Sequence, residues 1–329
     1  MANRRDAKDW AREHLKGLFT SPMIPFGPDL KLDEAGIRHN VERMLQAKAA
    51  GLGFGFSEPW VCTIAERKRA MEVSIDAIRR RVPAYLHTTD HSVEETVNLT
   101  RHAQSVGADA VMIWPPYEWA KSQEMLCGFY EYVASKVDIA IFLYNTPHSG
   151  LFMTPESIAR LAQIPNVCAL KNAVNDVTHS LRCVDLCGDQ IVVSDPHEHH
   201  LLDMTLNCGQ QVMLGTTPVF LMQSVHCQPI QDYWELARQG RRVEATRKFY
   251  ELQPLREVWA TMYQVLRNKA AAVHPVPHIK CWMDLIGMAG GAVRPPMHEV
   301  APEDKAHLKV RIEATGWLTR LYPDGVPAR

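Results

Sequence analysis

The sequence predicts an α/β chain: a (β/α)8 TIM barrel followed by a C-terminal helical extension. Three observations carry that prediction. Eight short, nearly all-apolar runs recur between residues 17 and 214, each followed by a helical pattern. Runs without polar alternation are strands covered on both faces, as in a parallel sheet flanked by helices. The alternation stops near residue 240, and only helical patterns follow. The rival architecture, a doubly wound sheet, usually carries a glycine fingerprint at its first turn. Thr20-Ser21-Pro22 is no such fingerprint, and Gly51-Leu52-Gly53-Phe54-Gly55 lies inside a strand without the spacing that should follow.

A helix is expected over about 5–16, so residues 1–16 are read as an N-terminal helix ahead of a barrel over 17–240. Strand one is Gly17 to Ile24. Asp33 caps a helix with Ile37, Val41, Met44 and Leu45 on one face. Strand two is Gly51 to Phe56. Thr63 and Glu66 form a capping box, and Met71, Ile75 and Ile78 make the next apolar face. Strand three is Ala84 to His87; Ser92 and Glu95 repeat the capping box, and that helix stops at Gly107. Strand four is Ala110 to Trp114, with a helix over about 122–137. Strand five is Ile139 to Tyr144, followed by a helix opened by Thr154 as cap and Pro155 as first residue. Strands six, seven and eight are Val167 to Lys171, Ile191 to Ser194 and Gln211 to Leu214. Helices over about 241–269, 275–289 and 303–319 make the region 241–329.

A formal net charge of -1 over 329 residues supplies no field for nucleic acid or an anionic membrane. The densest basic cluster, Arg79-Arg80-Arg81, falls at a helix end, where it complements the dipole. No apolar run reaches the roughly 18 residues of a membrane span. The first residues lead into a charged helix, not the apolar core of a signal peptide. Eight cysteines lie scattered without CxxC pairing, which reads as buried thiols in a reducing cytoplasm.

In such a barrel, chemistry gathers at the C-terminal strand ends. Those ends carry Ser57-Glu58-Pro59-Trp60, His87, Trp114 with Pro115-Pro116-Tyr117, Tyr144 with the loop through His148, Lys171, Asp195-Pro196-His197, and the residues around Met213. Lys171 is the pointed one. Burial favours its neutral form, and a neutral amine attacks carbonyls. Tyr144 ends the adjacent strand and offers a phenol for proton transfer.

At this point the residues resemble a known family. Tyr144-Asn145-Thr146-Pro147 followed by Lys171 is similar to the dihydrodipicolinate synthase / N-acetylneuraminate lyase superfamily of class I aldolases. Phe19-Thr20-Ser21-Pro22-Met23, Pro115-Pro116-Tyr117, His274-Pro275-Val276-Pro277 with Lys280, and Arg294-Pro295-Pro296-Met297 agree, in register over roughly 17–320. The resemblance implies a lyase in which Lys171 forms a Schiff base with a pyruvate-type 2-oxo acid. It implies that Tyr144 shuttles protons and that Tyr117 serves as a relay, and that the chain assembles as a homotetramer, a dimer of dimers. No cofactor and no metal are expected.

Departures bear on the substrate. Where the family holds the substrate carboxylate with a Gly-Thr-Thr-Gly-Glu type loop, this chain has Phe56-Ser57-Glu58-Pro59-Trp60. Ser57 can donate, Glu58 repels a carboxylate unless turned away or protonated, and Pro59 removes one N–H. The Phe-Ser-Glu run is similar to that of ketodeoxy sugar-acid dehydratases. The arginine that synthases carry after strand five is absent from Pro147-His148-Ser149-Gly150, which argues against lysine biosynthesis. Trp60, Trp114, His148 and Met213 are expected around the distal part of the substrate. An aromatic wall favours hydratase-aldolase chemistry; a wall of Glu58 and histidines favours dehydration of a polyhydroxy acid.

Two other classes stay open. Asp195-Pro196-His197-Glu198-His199-His200 brings a carboxylate and imidazoles together, as in a metal-dependent hydrolase, although polar residues are ordinary at the start of a helix. A 2-oxo acid sensor that kept the lysine without turnover is the other.

Overall fold

The computed structural model describes residues 6–55, 58–116, 120–215, 217–268 and 275–329, with the side chains of His148 and residues 263–268 outside that description. Its eight strands are β1 (Gly17–Thr20), β2 (Gly51–Phe54), β3 (Ala84–His87), β4 (Ala110–Ile113), β5 (Ala140–Asn145), β6 (Val167–Asn172), β7 (Val192–Ser194) and β8 (Val212–Leu214). They form one sheet in the order β7-β6-β5-β4-β3-β2-β1-β8. Each pairing for which a register is resolved is parallel. Among the described residues no ladder joins β7 to β8; a side-chain bond from Leu214 N to Ser194 Oγ (2.9 Å) spans the seam. The result is the expected nearly closed barrel.

The helices through the barrel are α1 (Ala7–His14), α2 (Glu34–Gln46), α3 (Ile64–Ile78), α4 (Val93–Val106), α5 (Gln123–Lys136), α6 (Pro155–Leu161), α7 (Val177–Cys187) and α8 (Leu201–Cys208). After β8 come α9 (Thr217–Leu221), α10 (Pro229–Arg238), α11 (Arg242–Glu251), α12 (Gln253–Asn268), α13 (Val276–Leu285), α14 (Pro302–Ala314) and α15 (Trp317–Leu321). Local chemistry starts them where the sequence predicts. Asp33 accepts from Gly36 N at 2.8 Å, and Thr154 from Ser157 N at 3.2 Å. The Thr63–Glu66 box is reciprocal, at 2.9 and 3.2 Å. The Ser92 box is half made: Glu95 N donates to Ser92 Oγ, but Ser92 N turns to Asp90 Oδ1. Strand one is shorter than expected, ending at Thr20, because Ser21 onward runs without strand pairing to Ile24. No helix among the described residues is long and apolar enough to cross a membrane.

The chain forms two compact units, which do not follow boundaries at 16 and 240. One comprises residues 1–19, 50–53 and 79–215; the other comprises 20–49, 54–78 and 216–329. All eight strands lie in the first unit except Thr20 and Phe54.

In the first unit, rings identify the barrel interior. Phe19, Tyr85 and Phe142 come from β1, β3 and β5, which are not neighbours. Even so, Phe19 lies 6.1 Å from Tyr85, and Tyr85 lies 5.6 Å from Phe142. Side chains of alternate strands meet in this way only inside a barrel. Trp10 of α1 adds a ring 6.3 Å from Phe142. Gly51 is dictated by this packing, since a Cβ there would lie 2.0 Å from the Phe19 ring.

The second unit has its own polar centre. Phe26 carries Lys280 Nζ at 4.6 Å and Arg294 Cζ at 4.1 Å from its ring centroid. Lys280 pairs with Glu58 at 3.0 Å and donates to Ala292 O at 2.8 Å. Arg294 grips Glu66, Val61 O and Leu30 O. Gly291 has a φ of +72°, and a Cβ there would meet Phe26 O at 2.4 Å, so only glycine fits.

Candidate active site

The period of two in a strand decides which side chains enter the barrel. Phe142 points inward, so Tyr144, two residues on, does as well. Register pairs Tyr144 with Lys171 and Lys171 with Ser194. Met112 pairs with Phe142 and with His87, which puts His87 and Trp114 on the same face. One inward row thus runs Trp114, Tyr144, Lys171, Ser194.

A one-residue register shift between β5 and β6 makes this row possible. Ile141 pairs with Val167, but Phe142 pairs with Ala169, leaving Cys168 as the extra residue of β6. Without it, Leu170 would stand beside Tyr144 and the amine would face the other way.

Contacts along the row are close. The Trp114 and Tyr144 rings stack at 5.3 Å and 18°, and Lys171 Nζ lies 4.5 Å from the Tyr144 centroid. His87 meets Trp114 edge-on at 4.8 Å. Thr89 fixes the Trp114 backbone twice: its hydroxyl accepts from Trp114 N at 2.9 Å and donates to Trp114 O at 3.1 Å. Lys171 is 2% exposed, and burial lowers its ammonium to about 7. An amine that is substantially neutral at physiological pH is a competent nucleophile.

The opposite face of the same strand ends is a polar network. Asn145 and Asn172 follow Tyr144 and Lys171 and are themselves in register. Asn145 Nδ2 donates to Asn172 Oδ1 at 3.1 Å and to Met153 O at 3.0 Å, while Met153 N donates to Asn145 Oδ1 at 2.7 Å. Asn172 Nδ2 donates to Ser180 Oγ at 2.9 Å, and Ser180 donates to Asp195 Oδ2 at 2.9 Å. This network anchors β5, β6 and β7 where the amine and phenol project. Sequence reasoning missed Asn172, Ser180 and Thr89. The available signal was an asparagine one residue after each of Tyr144 and Lys171, at outward positions of otherwise apolar strands.

The remaining expected site residues are distributed differently. Met213 is fully buried, but it pairs with Leu18, while its neighbour Leu214 pairs with inward-facing Phe19. Met213 therefore lies on the outer face of β8, which corrects its expected place in the pocket. Glu58, in the second unit, is fully buried with Oε1 on Lys280 and Oε2 accepting from Ile24 N at 3.1 Å. Burial pushes the Glu58 carboxyl up and the Lys280 ammonium down, and each partner opposes that for the other. The pair is neutral overall, so the repulsive charge expected of Glu58 is cancelled within this unit. Trp60 sits in the turn Pro59–Val61, 46% exposed. His148 lies in the turn Pro147–Ser149, its side chain outside the description. Ser57 and Tyr117 lie outside the described residues.

The model of the dihydrodipicolinate synthetase family matches residues 14–315. The chain belongs to that family. Its members are lyase-type enzymes, and this chain is an enzyme of that kind. Among curated family relatives, the 4-hydroxy-tetrahydrodipicolinate synthase of Methanothrix thermoacetophila is 29% identical over 300 residues, covering 89% of this chain and 95% of the relative. That of Methanopyrus kandleri is 27% identical, covering 94% and 98%. Among solved structures, a prophage protein of the dihydrodipicolinic acid synthase family from E. coli K12, in complex with pyruvate, is 25% identical. Its TM-score is 0.80, over 92% of this chain and 99% of that one.

Proposed function

We propose that this enzyme is a class I lyase that forms a Schiff base between Lys171 and the C2 carbonyl of a pyruvate-type 2-oxo acid. The observation that carries the reading is the buried Lys171 amine, lowered to about 7, beside Tyr144. The pyruvate complex of the E. coli K12 relative supports the substrate class.

Neutral Lys171 adds to the carbonyl, and the carbinolamine loses water. Tyr144 supplies and removes the protons those steps need. The iminium is cationic, and the π face of Tyr144 already lies against the nitrogen, an arrangement that stabilises a cation. The iminium then draws electrons from C3, so that a C3 proton leaves or the C3–C4 bond cleaves. Tyr117 serves as relay on the family resemblance. Trp114 and His148 serve as substrate contacts in this reading.

For the second substrate, the Trp114 ring, stacked on Tyr144 and met edge-on by His87, favours an apolar or aromatic distal group, and the loop through Gly150 offers no arginine to a second carboxylate. Aldol cleavage or hydration of an aryl-bearing 2-oxo acid is thus placed ahead of dehydration of a ketodeoxy sugar acid. The relatives' name, 4-hydroxy-tetrahydrodipicolinate synthase, keeps formation of that product on the activity panel. Cytoplasmic location rests on all eight cysteines being free thiols, and a homotetramer on the family resemblance.

Incubation with pyruvate, borohydride reduction and peptide mass measurement test the reading. An adduct is expected at Lys171, absent from Lys171→Ala and formed about 100-fold more slowly in Tyr144→Phe. No adduct in the wild type sinks the lyase mechanism. An adduct without turnover on the whole panel turns the reading toward a sensor.

A further inference from the structure

The run from Asp195 to His200 is the one sequence motif that the proposed chemistry leaves unused. β7 ends at Ser194, and a single turn, Glu198–His200, precedes α8. That turn folds the histidines back over Asp195. The carboxylate is fully buried and accepts four hydrogen bonds. Oδ1 takes His197 N at 3.0 Å and His197 Nδ1 at 2.7 Å; Oδ2 takes His200 Nδ1 at 3.1 Å and Ser180 Oγ at 2.9 Å.

Two imidazoles therefore stand on separate oxygens of one carboxylate. Their ring centroids are 5.2 Å apart, and His199 adds a third ring 4.2 Å from His200. One donor atom from each of Asp195, His197 and His200 lies within 4.8 Å of the others, and among the described residues no other three such groups converge. The His197 and His200 side chains are 23% and 16% exposed, whereas Asp195 is sealed. An ion can enter from the imidazole side and find its anionic partner fixed by Ser180.

A helix-starting knot needs only one of these imidazoles. Two imidazoles and a carboxylate are a donor set for first-row divalent ions, whose ligand bonds near 2.0–2.2 Å let one ion draw such atoms together with small side-chain adjustments. We propose that Asp195, His197 and His200 bind a divalent first-row transition ion of the Zn2+ class. The ion takes the place of the two Nδ1 protons between the rings and the carboxylate. In the bound state each imidazole carries its single proton on Nε2 and presents a bare Nδ1 to the ion. Three protein donors leave a position for water, as in open zinc sites.

Full-length protein stripped with a chelator is titrated with Co2+, read by its visible d–d absorption, and back-titrated with Zn2+. One saturable Co2+ per chain, displaced by Zn2+, is expected. Binding should weaken at least about tenfold in His197→Asn and in His200→Asn and vanish in the double variant. Both side chains are partly exposed, and the single variants decide if circular dichroism shows the double variant unfolded. Lys171→Ala should bind as wild type does, which keeps this test independent of the Schiff-base reading. No saturable binding, unchanged binding in the single variants, or a thiolate-to-cobalt charge-transfer band, which puts the ion on a cysteine, each overturns the site.

Discussion

Lys171 and Lys280 are both buried lysines, 2% and 1% exposed, and they illustrate opposite uses of the same side chain. Lys280, in the second unit, has a carboxylate 3.0 Å away and a carbonyl at 2.8 Å. Burial lowers its ammonium, but Glu58 works against that shift. Lys171, in the first unit, lies against an aromatic face, and burial carries it down to about 7. A paired buried lysine is a strut whose partner opposes the loss of its proton. One lowered by burial alone is held close to deprotonation, at a cost in stability. The location of an amine inside a protein says little about its chemistry until its neighbours are known.

The contrast between the two lysines is open to mutation. The largest effect is on turnover: Lys171→Ala should lose at least about 10^3-fold in kcat, since alanine cannot form the imine. Lys280→Ala should act through folding instead, and equal loss of kcat at unchanged stability in both would erase the distinction. Next is the ion pair. Lys280→Met leaves a buried carboxylate without its cation and should cost about 3–5 kcal/mol in urea unfolding. Adding Glu58→Gln should recover most of that loss. A double variant as unstable as the single would mean the two groups are not coupled.

Lys171→Met should go the other way and stabilise the protein by up to roughly 5 kcal/mol near neutral pH. Because the folded value, about 7, lies below the unfolded 10.5, the unfolded state binds more protons between them. Wild-type stability from this group therefore rises with pH across that window. The gain from Lys171→Met should be full below about pH 7 and fade toward pH 10.5; a gain independent of pH would assign it to packing. The smallest effect is kinetic. The rate of imine trapping with pyruvate should rise with pH through about 7 and level off, whereas a rise continuing to pH 10 would describe an ordinary lysine.

Much of the fold and part of the site were legible in the sequence. The eight apolar runs read as buried parallel strands, and Asp33, Thr63, Ser92 and Thr154 read as helix starts, because burial and capping are local signals with fixed periods. Lys171 and Tyr144 could be placed at the ends of neighbouring strands for the same reason. Met213 was misplaced because strand phase relative to the barrel depends on register, which composition does not encode. The electrostatic role of Glu58 was misjudged because its partner, Lys280, lies far along the chain, and an ion pair leaves no periodic trace.

The sequence by itself determined that this chain makes a parallel (β/α)8 barrel and that a buried amine and a phenol end adjacent strands. Tertiary structure alone decided that they face each other. The extra residue at Cys168 shifts the register of β6 by one, and a one-residue shift exchanges the two faces of a strand. It also decided that Lys280 is charge-compensated, since that depends on a contact between residues distant in sequence.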